Sequence, residues 1–225
     1  MTVARLGRCG SARWRVAAAA SLVAVALPAL AIVSGSGVAK TETRAPGAFS
    51  RIETSGAVAL EVTAGQSSAI VLVSGDDNVV PLVKTTVAGD TLKVRVDEGM
   101  STRLPLVVKV AVPRLATLTV SGATRVSVAN LAGPRFELKG SGATKVSLGG
   151  AVDELAIDVS GASRVDAVAL TARKAGVIAS GAAVIDVNAT EKLDARLSGA
   201  AKLGYLGNPA ITKSLSGAGR VERRK

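Results

Sequence analysis

A tripeptide, Ser-Gly-Ala, recurs six times in the C-terminal half of the chain, and this repeat restricts the possible folds more than any other feature. Successive copies are separated by 20, 19, 20, 18 and 18 residues. A period near 20 residues that contains short apolar runs is typical of a solenoid, in which each repeat forms one coil stacked on the last. The repeated serines and glycines are Ser121, Gly122, Ser141, Gly142, Ser160, Gly161, Ser180, Gly181, Ser198, Gly199, Ser216 and Gly217.

Apolar residues alternate with polar ones on both sides of each tripeptide. Leu118 and Val120 precede the first copy, and Val126 and Val128 follow it. A period of two predicts strands, so each repeat reads as strand, glycine turn, strand. Equivalent strands of successive coils then lie parallel, about 4.8 Å apart. The sequence therefore predicts an all-β, single-domain parallel β-helix with coils of about 20 residues, which we expect to be right-handed.

The tripeptide itself has a structural interpretation. Glycine supplies a bend with positive φ that a Cβ atom would hinder, and we expect the serine hydroxyl to cap that turn. Six such serines would form a ladder along one edge. The repeats lack the acidic residues of calcium-binding β-rolls, so we expect no metal and no cofactor. The variable interval predicts one corner that accepts insertions, marked by residues 132–134 and 207–209.

The predicted solenoid domain has a regular part and an irregular part. Residues 46–225 form the predicted solenoid domain, with regular coils over 116–222 and irregular or capping coils over 46–115. Residues 55–57 and 74–76 resemble the tripeptide and predict two irregular coils there. The whole chain has two Phe, one Trp and one Tyr, so the core must be built from Val, Ala, Leu and Ile, which suits closely stacked coils.

The N-terminus reads as an export signal. Four arginines between Arg5 and Arg15 precede an apolar stretch over residues 16–33 that lacks any charge. We predict a signal peptide over residues 1–31, with 39 as a second possible boundary, and a short linker over 32–45. The alternative is an uncleaved anchor, because 18 residues of helix span about 27 Å. With either interpretation we expect the protein to be exported, to the periplasm, the cell surface or the medium. Cys9, the only cysteine, precedes the apolar stretch, so the exported part has no disulfide.

A second pattern lies four positions after each repeated serine. The four leader arginines aside, the chain has 24 basic and 17 acidic residues. Five of the six repeats place a cation at this position, so stacked coils would form a basic row. Two interpretations remain open: a solvated face neutralised by nearby acids, or an anion-binding stripe. The cations are Arg125, Lys145, Arg164, Lys202 and Arg220, with Val184 in the fourth repeat, and the candidate neutralising acids are Glu137, Asp158, Asp166, Asp186 and Glu222.

The residue inventory disfavours an enzyme. The chain has no histidine, and it has no cysteine after the leader, which excludes triads built on either group. A glycosidase needs two carboxylates, for which Asp158 with Asp166, or Asp153 with Glu154, are the candidates. We expect Asp158 and Asp166 to neutralise cations instead, and we predict no catalytic residue.

Several segments together resemble a known bacterial family, the putative auto-transporter adhesin, head GIN domain. They are residues 49–52, residues 112–123, which lead into the first tripeptide, and the closing residues 205–209 followed by 216–219. The resemblance covers residues 46–222 and implies a β-solenoid in an exported protein with no established catalytic residues.

We therefore expect an exported, non-enzymatic module that binds the cell envelope through a repetitive basic surface. The expected partner is an anionic glycan, a lipid headgroup layer or an envelope protein, with a homo-oligomer also open. Nucleic acid is not expected, because the protein is exported and has few aromatic stacking platforms. The alternatives are a membrane-tethered periplasmic structural or regulatory module and a polysaccharide-acting β-helix enzyme.

Overall fold

The computed structural model describes residues 33–96 and 100–224, which belong to one compact unit, residues 31–225. The predicted signal peptide, residues 1–31, lies outside the described residues. The described chain is all-β and forms a solenoid of about five turns, which confirms the predicted fold class. A 3-10 turn at Val80–Leu82 interrupts the strands. No helix in the described ranges is long and apolar enough to cross a membrane.

Nine strands precede the regular coils and eight build them. The first nine are β1 (Val33–Ser34), β2 (Ala39–Arg44), β3 (Arg51–Ser55), β4 (Ala59–Ala64), β5 (Ile70–Asp76), β6 (Lys84–Ala88), β7 (Thr91–Arg95), β8 (Met100–Ser101) and β9 (Val107–Val112). The other eight are β10 (Thr117–Gly122), β11 (Arg125–Gly142), β12 (Lys145–Val159), β13 (Arg164–Ala179), β14 (Val184–Gly199), β15 (Lys202–Leu206), β16 (Ala210–Gly217) and β17 (Arg220–Arg223).

Each regular coil has three straight segments, which we call faces 1, 2 and 3. In the coil of β11 they are residues 125–129, 131–133 and 135–142, and each segment contains residues that pair in parallel with the next coil: 125–128, 131–133 and 135–140. Corners with positive φ separate them, at Asn130 (φ 60°), Gly133 (φ 140°) and Gly142 (φ 91°). Face 1 follows the glycine turn and face 3 leads into the next one, so the tripeptide lies at the corner between these two faces.

The core consists of ladders of aliphatic side chains that run from coil to coil. On face 1, the ladder is Val126, Val146, Val165, Ile185 and Leu203, all 0–1% exposed. A second ladder on face 3 is Leu118, Leu138, Ile157, Val177 and Ala195. Burying one such valine or leucine contributes about 1.5–3 kcal/mol, so these ladders hold the coils together.

Coil length varies mainly at a corner other than the predicted one, and in one coil at the predicted corner as well. The register shifts between Val128 and Leu131, and at the matching positions in the next two coils, which is the corner between faces 1 and 2. A further shift, between Ala172 and Lys174, lies at the predicted corner, because Arg173 is in register with Pro134. Residues 132–134 form a paired part of β11, and no register shift accompanies residues 207–209. The glycine corner cannot vary, because each glycine packs on the glycine of the preceding coil.

The N-terminal strands do not stack in chain order. β3 and β4 form a coil around Gly56 that packs directly on β10 and β11. β7 and β9 form the next coil outward, and β5, β6 and β2 then add in antiparallel fashion. One expectation was wrong here. Residues 74–76 belong to β5 and form no coil turn. The expected linker contains β2, which pairs with β5.

Polar side chains hold this N-terminal end together. Asp76 is buried, and its carboxylate accepts hydrogen bonds from the backbone N–H groups of Gly37 (2.7 Å), Arg103 (3.0 Å) and Leu104 (3.2 Å). Burial acts to raise the pKa of Asp76, but these hydrogen bonds and the nearby Arg103 charge hold that pKa below its ordinary value. Asp76 therefore anchors two loops to β5.

The C-terminal end is built differently. All eight residues of β16 are exposed, and Ile211 and Leu215 keep 38% and 42% of their surface in solvent. Between them, Lys213 pairs with Ala195, which occupies a core position. A charged residue at a core position of an edge strand hinders the addition of further strands. Lys213 thus makes it unfavourable for another strand to pair with the edge of β16, which no other described strand covers.

Candidate functional site

The strand register places the five repeated cations side by side. Arg125 pairs with Lys145, Lys145 with Arg164, Arg164 with Val184, Val184 with Lys202, and Lys202 with Arg220. All five basic side chains are exposed, and they point outward from face 1 because the residues after them are buried. We call this line of side chains the basic row. Neighbouring members are one coil apart, about 4.8 Å at the backbone, except Arg164 and Lys202, which Val184 separates.

No member of the basic row forms a salt bridge or a side-chain hydrogen bond with another described residue. On the other sides of the same coils most described cations are paired, with Arg196 and Lys213 as exceptions. Arg135 and Lys174 both contact Glu154, and Lys192 contacts Asp194 at 2.9 Å. Most of the positive charge elsewhere on these coils is thus neutralised by direct contact, whereas among the described residues no member of the basic row is, although the Arg164 charge acts on Asp186 from a distance.

The expected neutralising acids do not contact the row. Glu137 and Asp158 lie on face 3, where Glu137 pairs with Lys139. Asp166, Asp186 and Glu222 lie on face 1, two residues beyond the row. In the coils of β11 and β12 the equivalent positions are Ser127 and Ser147. The positions next to Arg125 and Lys145 therefore carry no acid, although Glu61 lies one coil beyond Ser127, where it pairs with Lys109.

Asp186 is occupied by a contact that sequence reasoning missed. Its carboxylate lies 2.8 Å from the guanidinium of Arg224, which folds back over Gly204. Burial raises the pKa of Asp186 above its ordinary value, although the Arg224 charge acts in the opposite direction. A Cβ atom at Gly204 would lie 2.3 Å from the carboxylate, so only glycine leaves room for this pair. In the sequence, the glycine at position 204, in register with Asp186 of the preceding coil, could have indicated this pair.

A shallow depression adjoins the basic row at its end nearest β4. Its volume is about 330 Å³, and small side chains, including Ala57, Ala59 and Ala123, line it together with Arg125 and Lys145. The register continues from Arg125 to Ala59, which has no long side chain to fill the space. Two cations thus border an open, apolar-floored depression.

The glycine turns form a flat strip beside the row. The six repeated glycines have φ between 75° and 91°. A Cβ atom on any of them would lie 2.7–3.0 Å from the carbonyl oxygen of the preceding glycine. Both conformation and stacking therefore require glycine.

The expectation that the repeated serines cap these turns was wrong. Of the six, Ser121 alone donates a hydrogen bond among the described residues, to the carbonyl of Thr54 at 3.4 Å. In two repeats the capping hydroxyl comes three residues later, and in the fourth and fifth repeats that position is Ala183 or Ala201. Thr124 donates to the carbonyl of Ser121, and Ser163 to that of Ser160, both at 2.9 Å. The later hydroxyl points into the solenoid, where it reaches the turn carbonyl, whereas the serine lies at the surface.

The acids of the two candidate carboxylate pairs either lie on different faces, as Asp158 and Asp166 do, or pair with cations. Asp166 accepts a hydrogen bond from the backbone N–H of Val168 and so stabilises a corner. Asp153 pairs with Arg173, whereas Glu154 pairs with Arg135 and Lys174. No group of three or more potential metal ligands occurs in the described part of the chain. These acids therefore fit structural roles.

Face 3 carries a groove of about 520 Å³ that the sequence analysis did not anticipate. Its floor is formed by Ala156 and Gly176, neighbours in the strand register, and Ile178 stands beside them with 48% of its surface exposed. Asp158 and Arg196 flank Ile178 one coil to either side. The sequence could have indicated this groove, because Ala156, Gly176 and Ile178 occupy outward-facing strand positions.

A family profile decides the chain's affiliation. The profile described as putative auto-transporter adhesin, head GIN domain, matches residues 48–209. The chain belongs to this family. Its β-solenoid fold and its membership in the family fit an exported module of the adhesin type. A search of curated proteins found no match.

Solved structures show the same fold. A putative adhesin from Bacteroides fragilis NCTC 9343 is 22% identical, with a TM-score of 0.69, covering 85% of this chain and all of its own (100%). A putative adhesin from Parabacteroides merdae ATCC 43184 is 17% identical, with a TM-score of 0.55 and coverages of 86% and 99%. A putative lipid binding protein from Parabacteroides distasonis ATCC 8503 is 21% identical, with a TM-score of 0.51 and the same coverages, 86% and 99%. The family and these structures carry names of binding proteins rather than of enzymes.

Proposed function

We propose that this protein is an exported, non-enzymatic solenoid that binds anionic groups of the cell envelope through its basic row. The observation that carries the proposal is that Arg125, Lys145, Arg164, Lys202 and Arg220 share one row and have no described ion-pair partner. The ligand presents repeated negative charges, as an acidic glycan or a layer of phosphate headgroups does.

Electrostatics favour a ligand at this position. Like charges about 5 Å apart in water repel by about 1 kcal/mol or less per pair, and salt reduces the repulsion further. The repulsion within the basic row is therefore small in solvent, and binding is favourable when anions of the ligand replace water and mobile counterions. Each contact is weak, but five in a line act together on a polymer or a surface.

The end of the row nearest β4 carries most of the proposed binding. Arg125 and Lys145 border the depression at Ala57 and Ala59, and their neighbours Ser127 and Ser147 are uncharged. Lys202 and Arg220 have Gly204 and Glu222 in the adjacent row. An anion near Arg125 and Lys145 thus meets two uncharged serines, with Glu61 one coil beyond and paired to Lys109, whereas an anion near Arg220 meets Glu222 in the same coil.

The test is a binding series with the exported protein on two surfaces. One surface is immobilised polygalacturonate. The other is a set of vesicles of phosphatidylcholine with or without phosphatidylglycerol. Binding to the polymer alone identifies a glycan, and binding to the anionic vesicles identifies headgroups, in line with the lipid-binding name of one similar structure.

Substitutions can distinguish the contribution of the basic row to binding from the contribution of the protein's net charge. The double substitution Arg125→Gln with Lys145→Gln should weaken binding about tenfold, on the basis of two exposed ionic contacts. The matched control, Arg51→Gln with Lys93→Gln, removes the same charge from face 3 and should change binding little. Val184→Lys should tighten binding, because it fills the gap in the row. Equal losses in both double variants, or no binding to either surface, would overturn the proposal.

Export is part of the same proposal, and its test is independent of the ligand. A C-terminally tagged full chain is fractionated, and the N-terminus of the mature protein is sequenced. A start near residue 32 or 40 supports a released protein. An intact leader supports the alternative of a tethered periplasmic module.

A further inference from the structure

Ile178 is the one large apolar side chain of β13 that is exposed, and it lies near the end of that strand. It lies on the outer surface of face 3, with 48% of its surface in solvent, beside the groove floored by Ala156 and Gly176. A large exposed apolar residue next to a hole lined by small ones is typical of a contact surface.

Opposite charges flank Ile178 in its own row. Asp158 precedes it by one coil and Arg196 follows it by one coil. Neither side chain forms a salt bridge or a side-chain hydrogen bond with another described residue. The Arg196 charge helps to lower the pKa of Asp194, which is lowered chiefly by a hydrogen bond from Lys192. The row is thus negative, apolar and positive, in that order along the solenoid.

We propose that face 3 binds a second copy of this chain, with the two solenoids antiparallel and face to face. The pairing follows from a two-fold axis that runs parallel to the strands and passes through the coil of β13. Such an axis places every row opposite the same row of the second copy and reverses the order of the coils. Ile178 then faces the second copy's Ile178, and Asp158 faces the second copy's Arg196 in both directions.

A second row fits the same symmetry. Glu154 and Lys192 lie one coil to either side of Lys174, so the axis places Glu154 opposite the second copy's Lys192. Lys174 meets its own counterpart at the rim, where Glu154 already lies 4.0 Å from it. The middle row places Gly176 opposite Gly176, which leaves space for the isoleucine side chains to enter the groove.

The patch size indicates a weak dimer. Five coils at about 4.8 Å and strands of about six residues give a surface of about 24 by 20 Å, or about 1,000 Å² in total for both copies. This value lies at the lower limit for specific interfaces. The arrangement leaves face 1 of both copies exposed, so the proposed dimer does not depend on the basic row.

The experiment is sedimentation equilibrium of the exported protein over about a hundredfold range of concentration, enough to follow a change of two decades in the dimer Kd. We expect a reversible monomer–dimer equilibrium. Ile178→Asp should weaken it at least tenfold, roughly the loss of one central contact, because two carboxylates would face each other across the axis.

A charge exchange gives a test that misfolding cannot imitate. Asp158→Arg and Arg196→Asp should each weaken the dimer, because each places like charges opposite one another. The double variant should recover it, since the axis restores opposite charges at both positions. Lys145→Asp, on face 1, is the control and should leave the dimer unchanged, and circular dichroism confirms that each variant is folded.

Three results would overturn the inference. They are a chain that stays monomeric at every concentration, a dimer that Ile178→Asp does not affect, and a double exchange no better than the single ones. A dimer lost on Leu215→Lys but retained in Ile178→Asp would assign the contact to the exposed edge of β16 instead. Anion binding by monomers remains measurable in each case, so failure here leaves the proposed function standing.

Discussion

The regular coils and the N-terminal end of the solenoid are held together in different ways. In the coils, each strand pairs with its equivalent in the next repeat, and the contacts are aliphatic ladders and stacked glycines. At the N-terminal end, strands pair out of chain order, and charged side chains such as Asp76 and Arg44 bind backbone groups. Repetition suffices for growth of a solenoid, whereas closing its end requires individual polar contacts.

This difference predicts different sensitivities. Coil stability should respond to volume and backbone conformation, and the stability of the N-terminal end should respond to pH. Four substitutions test the contrast.

Gly161→Ala should have the largest effect. Its φ is 81°, and the new Cβ atom would lie 2.7 Å from the carbonyl oxygen of Gly142. We expect a loss of about 2–4 kcal/mol in the free energy of unfolding, from strain and steric overlap together. Urea denaturation measures it.

Two glycines serve as controls for this substitution. Gly176 has neither a positive φ nor an atom near the added Cβ, so Gly176→Ala should be neutral. Gly65 has a φ of 79° but open space, so Gly65→Ala should lose only about 1 kcal/mol. Equal effects at all three positions would show that stacked glycines are not special.

Asp76→Asn should loosen the N-terminal end alone. The lowered pKa of Asp76 means that its carboxylate adds stability above its ordinary pKa and loses that contribution as pH falls through the lowered value. The variant should therefore lack part of the acid sensitivity of the parent. Hydrogen exchange should show faster exchange in β5 and at Gly37, with little change in β12 and β13. Uniform loss of protection would contradict a separate role for this end.

Ser163→Ala should lower the free energy of unfolding by about 1 kcal/mol. The buried Ser163 hydroxyl donates a hydrogen bond to the carbonyl of Ser160 and accepts one from the Thr144 hydroxyl. Ser141→Ala is the control, since the Ser141 hydroxyl has no described hydrogen-bond partner. We expect a change there of less than about 0.5 kcal/mol. Thermal unfolding compares them, and the reverse order would restore the repeated serine as the turn cap.

Asp186→Asn should have the smallest effect, about 0.5 kcal/mol or less at neutral pH. Burial raises the pKa of Asp186, so its contribution to stability is complete below the ordinary carboxyl pKa and is lost as pH rises through the raised value. The variant should lack this decline. Unfolding free energies of both proteins, measured on either side of that window, give the comparison, and a large loss in the variant at neutral pH would mean that the Arg224 pair outweighs burial.

Much of the regular solenoid could be predicted from local pattern. The alternation at Val126 and Val128 indicated strands, and the spacing of the tripeptide indicated stacking, because both are set by contacts within one or two repeats. The position of the five cations four residues after each serine followed from the same spacing. The N-terminal end lacks that repetition, so residues 74–76 were assigned to a turn although they pair in β5.

The features that sequence reasoning missed depend on which outward side chains become neighbours across coils. Ile178 is close to Asp158 and Arg196 only through the register, since about 20 residues of chain separate each from it. The pairing of Asp186 with Arg224 depends on a fold-back over Gly204. Neither contact leaves a periodic signal.

The sequence by itself determined the stacked coils, their glycine turns and the line of cations, because a repeated local pattern forces equivalent residues into equivalent places. The tertiary structure decided which charges are neutralised, which hydroxyl caps the turn and how the N-terminal end is closed. Those outcomes depend on distances between residues far apart in the chain, and a few ångströms separate an ion pair from two solvated charges.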